Sequence, residues 1–137
     1  MASADTLIRP AVYEATDEFD AVSCLDDRYR HQHRDVEPGR YIQVQGSEAA
    51  LLIPLDMEVM HIGRGLAADL HLDDSSVSRR HSILISRPSG AHILDDRSFN
   101  GTFVNDKRVE QADLQSSDVI TLGRVQLRYL ELAPGRF

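Results

Sequence analysis

Three short polar clusters in the sequence carry groups that could bind an anion. The first, residues 61–65, contains Gly63-Arg64; the second, residues 73–81, contains Ser76, Ser78 and the pair Arg79-Arg80; and the third, residues 98–105, contains Asn100-Gly101. A guanidinium group can donate two parallel hydrogen bonds to a phosphate, and hydroxyl groups add short neutral donors. Glycine allows the backbone to approach a ligand closely or to adopt a positive φ. These residue types together favour a site for a phosphate dianion.

The segments between these clusters have the pattern of a β-protein. From Arg40 onward, short apolar or alternating segments are separated by turn residues such as Pro88-Ser89-Gly90 and Asn105-Asp106, and helical periodicity is absent. Many short strands with frequent turns predict a sandwich or a barrel, with the three clusters in loops. The predicted strand segments are 41–45, 49–53, 58–62, 69–72, 81–86, 92–94, 102–104, 119–122 and 125–132.

The first part of the chain differs in composition from the rest. Residues 1–37 hold nine acidic residues and four arginines, and their apolar residues are too scattered to form a core. Pro38-Gly39 closes this stretch with a pair that stops a helix. We therefore predict an acidic, disordered tail over residues 1–38, one domain over 39–133, and a short C-terminal tail over 134–137.

Charge and cysteine content restrict the partners and the compartment. The formal net charge of −7 argues against nucleic acid or an anionic membrane as the main partner. No apolar run reaches the roughly 18 residues that a membrane span needs, and no secretory signal is visible at Met1. Cys24 is the single cysteine, which excludes an internal disulfide and fits a reducing compartment. We predict a cytoplasmic monomer with no cofactor; no nucleotide site is indicated either, because the sequence has neither a Walker-type glycine loop nor G-x-G-x-x-G.

The order and spacing of the clusters resemble the forkhead-associated (FHA) family, and small bacterial FHA proteins in particular. Gly63-Arg64 is followed by Ser-x-x-His at 78–81, then by Asn-Gly-Thr at 100–102, and finally by Asp-x-Ile-x-Leu-Gly at 118–123. The resemblance extends over most of residues 40–132. It implies a β-sandwich of about eleven strands whose loops at one end bind phosphothreonine peptides without any chemical step.

The resemblance also implies a role for each matching residue. Arg64 and Ser78 match the family's phosphate-binding arginine and serine, and Arg79 stands where a further phosphate-facing side chain is frequent. Asn100 matches the residue that holds the peptide backbone. Phe99 departs from the small hydroxyl residue often found before Asn-Gly, so one phosphate contact is in doubt. Structural support of the site is expected from Gly63, His81, Gly101 and Thr102. Arg80 is expected to point away as a solvated charge.

The resemblance also implies a way in which the chain itself regulates peptide binding. Some small bacterial FHA proteins have an N-terminal threonine that folds back into the protein's own site once it is phosphorylated. The tail offers Thr16, within an acidic setting, and Thr6, which lacks the acids. The implied partners are phosphothreonine-containing proteins and a Ser/Thr protein kinase that makes the mark.

Three other readings stay open at this point. Ser78 and His81 with Asp95 or Asp96 could be cast as a hydrolase triad, although the Gly-x-Ser-x-Gly elbow is missing. A metal site could use histidines, and the candidates are His31, His33, His61, His71 and His92. The pair His31 and His33 has no nearby cysteine or carboxylate at ligand spacing, and a solvated histidine is the more common case. The third alternative is an FHA-like structural module that binds partners independently of phosphate.

Overall fold

The computed structural model describes residues 21–25, 37–45 and 50–133. In these residues, one 3₁₀ turn, Ala21–Cys24, precedes eleven β-strands. The strands are β1 Gly39–Gln45, β2 Ala50–Pro54, β3 Val59–Gly63, β4 Leu70–His71, β5 Ser82–Arg87, β6 Gly90–Asp95, β7 Thr102–Val104, β8 Lys107–Val109, β9 Gln111–Leu114, β10 Val119–Leu122 and β11 Val125–Leu132. None of the described helical segments is long and apolar enough to cross a membrane.

The strands form two sheets that pack face to face. The six-stranded sheet has the order β2-β1-β11-β10-β7-β8, and the five-stranded sheet has the order β4-β3-β5-β6-β9. Within these sheets all the recorded pairings are antiparallel except that of β3 with β4. The prediction of an all-β sandwich of about eleven strands is confirmed.

Alternating side chains explain why these segments form the two halves of one core. In β11, Val125, Leu127 and Tyr129 are buried, whereas Gln126 and Arg128 between them are exposed. Successive residues of a strand point to opposite faces, so this period of two gives one apolar and one solvated face. Burying each large apolar side chain contributes about 1.5–3 kcal/mol. The interior between the sheets is therefore the main source of stability.

Three loops meet at one end of the sandwich, which we call the site end. They are residues 64–69 after β3, residues 72–81 before β5, and residues 96–101 before β7. The loops are joined directly by hydrogen bonds, because Arg64 N donates to Ser78 O at 2.9 Å and Phe99 N donates to the Ser78 side-chain Oγ at 2.8 Å. The loops 55–58 and 88–89 lie at the opposite end. The fold thus gathers the three polar clusters of the sequence at one end.

A short part of the predicted tail packs on the sandwich. Ala21, Cys24 and Leu25 are buried, and Cys24 O accepts a hydrogen bond of 3.0 Å from Asp73 N in the loop 72–81. Ala21 and Leu25 belong to the same apolar cluster as the strands. In a 3₁₀ turn, side chains three positions apart lie on the same side, which places Ala21 and Cys24 together. The rest of the predicted tails, residues 1–20, 26–36 and 134–137, lies outside the described residues, and the domain boundaries stay predictions.

Candidate functional site

Arg64 is fixed in position by the loop opposite it. Its backbone N–H bonds Ser78 O, and its side-chain Nε donates to Val77 O at 2.9 Å. The following residue, Gly65, donates from its N–H to Arg79 O at 3.1 Å. Among the described residues, no acceptor forms a hydrogen bond with either of the two terminal guanidinium nitrogens of Arg64. The side chain is therefore held in one orientation while most of its donors remain available to a ligand.

Ser78 has a hydroxyl group that can still donate. Its Oγ accepts the hydrogen bond from Phe99 N, and its own N–H donates to His81 Nδ1 at 3.0 Å. A serine hydroxyl has one donor and two acceptor positions. The Phe99 contact uses one acceptor position, so the hydroxyl proton is free to point at an anion. The Ser78 hydroxyl can thus donate to a ligand while hydrogen bonds at its Oγ and at its backbone N–H keep the residue in position.

The buried side chain of His81 connects the loop 72–81 to the loop 96–101. The imidazole is fully buried, Nδ1 accepts from Ser78 N, and Nε2 lies 2.8 Å from Gly101 O. Since a carbonyl oxygen can only accept, the proton sits on Nε2 and the ring is neutral. Burial lowers the pKa of His81, against opposing effects of the Gly101 carbonyl and the Asp95 charge. The ring braces the loops and is not offered to a ligand.

A second network, centred on Asp74, supports the loop 72–81 from the β10–β11 turn. The Asp74 carboxylate accepts from Ser76 N and Ser76 Oγ, and from two nitrogens of Arg124 at 3.0 and 2.9 Å. Burial alone would raise the pKa of Asp74, but the hydrogen bonds from Arg124 and Ser76 outweigh it and lower the pKa. Asn100 Nδ2 donates to Ser76 O at 2.8 Å and ties in the third loop. Sequence reasoning missed Asp74 and Arg124, which lie 50 residues apart.

The loop 96–101 is shaped by its own short-range hydrogen bonds. Asp95 accepts from Ser98 N, Ser98 Oγ and Thr102 Oγ1, and Ser98 Oγ accepts in turn from Gly101 N. Burial alone would raise the pKa of Asp95, but the bonds from Ser98 and Thr102 lower it. Arg97 has a φ of 59° and Gly101 a φ of 92°, which turn the chain sharply at both ends of the loop. The turn leaves Phe99 at 89% exposure.

Comparison with known proteins decides the family. A family model described as "FHA domain" matches residues 60–123. The oxoglutarate dehydrogenase inhibitor of Corynebacterium diphtheriae is 32% identical over 101 residues, which cover 71% of this chain and 71% of that protein. This chain belongs to the FHA family.

Other FHA relatives share a shorter part of their length with this chain. The glycogen accumulation regulator GarA of Mycobacterium tuberculosis is 34% identical over 95 residues, which are 68% of this chain and 59% of GarA. The ABC transporter ATP-binding/permease protein Rv1747 of the same species is 40% identical over 72 residues, 53% of this chain but only 8% of that protein. The match to these two relatives thus spans less than two thirds of their length.

Solved FHA structures resemble this chain in fold as well. One, from a structural and functional study of phosphothreonine-dependent FHA domain interactions, has a TM-score of 0.60 and 34% identity, and the match covers 66% of this chain and 94% of that one. The FHA domain of FhaA, solved in complex with the intracellular domain of Rv3910, has a TM-score of 0.62 and 32% identity, with 66% and 99% coverage.

Within this FHA fold, the predicted binding residues fall at the site end. Arg64, Ser78 and Asn100 belong to one hydrogen-bonded loop assembly, and Arg79 is exposed beside Ser78 with its Cβ near Gly65. Arg80 instead forms an ion pair with Asp96, with Nε 3.1 Å from Oδ2. Of the predicted supporting residues, His81, Gly101 and Thr102 take part in the bonds described above, and Gly63 lies directly under Arg79 O. Their roles toward a ligand stay predictions.

The histidines that were considered as metal ligands are engaged in other contacts where they are described. His61 contacts Asp69, His71 Nε2 lies 2.9 Å from Arg64 O, and His92 contacts Asp113 and Gln111. His31 and His33 lie outside the described residues. In the part of the chain that the structure describes, no group of three or more His, Cys, Asp or Glu residues could hold a metal ion.

The buried neutral His81 leads to a pH-dependent stability. Its folded-state pKa is below the unfolded value of 6.5, so between these two values the unfolded chain binds more protons. The free energy of unfolding should therefore fall as the pH decreases below about 6.5, by at most about 1.4 kcal/mol per pH unit for this one group. Urea unfolding of the wild type and His81→Gln between pH 7.5 and 5.5 measures it. We expect the variant to be less stable at pH 7.5 and to have a flatter pH profile. Parallel profiles would contradict the assignment.

Proposed function

We propose that this FHA domain binds phosphothreonine segments of partner proteins and performs no chemistry on them. The observation that carries the proposal is the guanidinium of Arg64, which the Val77 carbonyl holds beside the Ser78–Arg79 segment with its terminal donors unused by the described residues. A phosphate dianion prefers such charge-assisted, prearranged donors. In this proposal Arg64 and Arg79 supply the positive charge, Ser78 supplies a hydroxyl donor, and Asn100 holds the peptide backbone.

The bracing of the loops favours recognition over catalysis. A hydrolase would need His81 to accept a proton from Ser78 Oγ. Both ring nitrogens of His81 are instead bonded to backbone groups, at Ser78 N and Gly101 O, and the ring is fully buried. The Ser78 hydroxyl is bonded to a backbone N–H of Phe99. The geometry supports a preformed anion site that loses little conformational freedom on binding.

The biological role that we propose is regulation of partner proteins in Ser/Thr kinase signalling. Two relatives are named for regulation, a glycogen accumulation regulator and an oxoglutarate dehydrogenase inhibitor. A phosphothreonine has to be produced by a Ser/Thr protein kinase. We therefore propose such a kinase as the second partner of this domain. We propose that the domain acts as a cytoplasmic monomer and changes the activity of a phosphorylated partner by binding to it.

Calorimetry with three matched peptides tests the proposal. We expect a phosphothreonine peptide to bind, its phosphoserine counterpart to bind about five times more weakly, and the unphosphorylated peptide to show no binding. The threonine preference follows from burial of one additional methyl group, which is worth about 1 kcal/mol. Equal binding of the phosphorylated and unphosphorylated peptides would instead support the phosphate-independent interaction module.

We also propose that Thr16, with Thr6 as the second candidate, controls the site from within the chain. Both threonines lie outside the described residues. The described segment after them is attached to the loop 72–81 through the bond between Asp73 N and Cys24 O. Thr16 precedes Ala21 by five residues, which can span at most about 17 Å. Tethering over such a length can give an effective concentration near the millimolar range.

Phosphorylation at Thr16 should consequently lower the affinity for an added phosphothreonine peptide by about tenfold or more. The measurement compares the peptide affinity before and after stoichiometric phosphorylation, with Thr16→Ala and Thr6→Ala treated in the same way. Wild type and Thr6→Ala should lose affinity, while Thr16→Ala should not. If phosphorylated and unphosphorylated protein bind the peptide equally, self-inhibition through Thr16 is wrong.

A further inference from the structure

Arg108 covers the backbone of the loop that carries Asn100. A Cβ atom built on Gly101 would lie 2.7 Å from Arg108 Nε and 3.0 Å from its Cζ, so the Arg108 side chain lies against this glycine. Arg108 belongs to the edge strand β8, where it pairs with Phe103 of β7. Gly101 is buried although it belongs to a surface loop. The β7–β8 hairpin therefore carries a positive charge to the site end, directly beside Asn100.

Three of the carboxylates near this end are engaged with other groups. Asp74 is bonded to Arg124, Asp95 accepts from Ser98 and Thr102, and Asp96 pairs with Arg80. By contrast, the side chains of Arg79 and Arg108 form no hydrogen bond or ion pair within the described parts of the chain. Unpaired guanidinium groups here stand out in a chain of net charge −7. A local positive field of this kind attracts anions despite the opposite total charge.

We propose that Arg108 is a second anion-binding point, which receives a carboxylate or a second phosphate close to the phosphothreonine in the partner. This inference rests on the proposed function of the site end. A guanidinium that lies against the Gly101 backbone can donate two parallel hydrogen bonds to such a planar or tetrahedral anion. Arg108 would thereby select partners that are acidic or doubly phosphorylated near the mark.

Three peptides separate the sources of the anion. The first has one phosphothreonine in a neutral sequence, the second has the same sequence with glutamates on both sides of the phosphothreonine, and the third replaces one flanking residue by a second phosphothreonine. We expect wild type to bind the glutamate peptide about fivefold more tightly than the neutral one. The gain from the second phosphate should be about tenfold, since it adds nearly two charges. The larger of the two gains identifies the preferred source.

Variants of the hairpin test whether Arg108 produces this preference. In Arg108→Gln, which retains a side chain to cover Gly101, both gains should disappear while the affinity for the neutral peptide changes less than twofold. Arg108→Lys should retain part of the gains. The matched control is Lys107→Ala, which removes an exposed charge from the adjacent position on the other face of β8 and should leave both gains intact.

The outcomes separate a failure of the Arg108 anion-binding point from a failure of phosphothreonine recognition. If wild type binds no phosphothreonine peptide, the proposed function fails and the second anion point fails with it. If all three peptides bind with equal affinity, or if Arg108→Gln retains the full gains, Arg108 is not an anion-binding point while phosphothreonine recognition stands. A gain that disappears equally in Lys107→Ala would likewise contradict the inference, because it would report only the net charge of the hairpin.

Discussion

Replacing Arg64 with alanine is expected to weaken the binding of a phosphothreonine peptide by about 30-fold or more. The wild-type guanidinium is fixed by Val77 O, and under the proposed function its terminal nitrogens donate to the phosphate. Removing one partner from a desolvated charge pair costs roughly 2–5 kcal/mol, and 2 kcal/mol already corresponds to about 30-fold in affinity. Calorimetry at fixed ionic strength measures the change, since such contacts are salt-dependent.

A matched variant controls for the loss of one positive charge. Arg87→Ala removes an exposed arginine at the far end of β5, away from the three loops. We expect its peptide affinity to stay within about twofold of wild type, because charges beyond a Debye length are largely screened. Equal affinities of Arg64→Ala and wild type would overturn the assignment of Arg64, and an equal loss in both variants would reduce it to an effect of total charge.

Gly63→Ala should cause a large loss of stability, because the new methyl group has no space at the site end. The new Cβ would lie 2.0 Å from Arg79 O and 3.0 Å from Ser78 O. Those carbonyls cannot move away easily, because they accept from Gly65 N and Arg64 N. Forced overpacking costs about 1–3 kcal/mol and sometimes more, and a contact this short belongs to the upper part of that range. The melting temperature should fall by about 12–20 °C, and peptide binding should weaken with it.

Gly65→Ala provides the control for this prediction. Its added Cβ would meet Arg79 O at 3.2 Å, which requires a shift of only a few tenths of an ångström. The melting temperature of this variant should fall by only a few degrees. Calorimetric unfolding of both variants checks the difference. If Gly63→Ala melts like wild type, the close approach of β3 to the Ser78–Arg79 segment is wrong.

Much of the sandwich could be predicted because its central strands alternate in hydrophobicity. β1 and β11 follow that pattern closely, and both were predicted from it. The sequence did not reveal β8 and β9, since Lys107–Val109 is polar and Gln111–Leu114 has a single buried residue. Such edge strands are stabilised by pairing with a neighbour more than by their own apolar pattern.

The sequence indicated the candidate binding residues but not the hydrogen bonds that hold their loops in position. Arg64, Ser78 and Asn100 were identified by motif, because each stands in a short local pattern. The bracing contacts join distant positions, as between Asp74 and Arg124, and they depend on loops that only the tertiary structure brings together. The position of Arg108 on Gly101 could not be predicted from residue types either, since an exposed arginine is most often only solvated.

The buried turn in the predicted tail has a similar explanation. Ala21, Cys24 and Leu25 are too few to indicate a core segment within an acidic stretch. They are buried because the sandwich offers an apolar surface to them and Asp73 offers a backbone donor to Cys24 O. Local composition alone carries no information about that surface.

A nuclear magnetic resonance titration of the ¹⁵N-labelled chain with a phosphothreonine peptide and its unphosphorylated twin tests phosphothreonine recognition directly. We expect only the phosphorylated peptide to shift the amide signals, with the shifts concentrated in Arg64, Ser78, Arg79 and Asn100. The loops 55–58 and 88–89 at the opposite end should remain unchanged. Equal shifts with both peptides, or shifts centred on the opposite end, would contradict phosphothreonine recognition by these three loops.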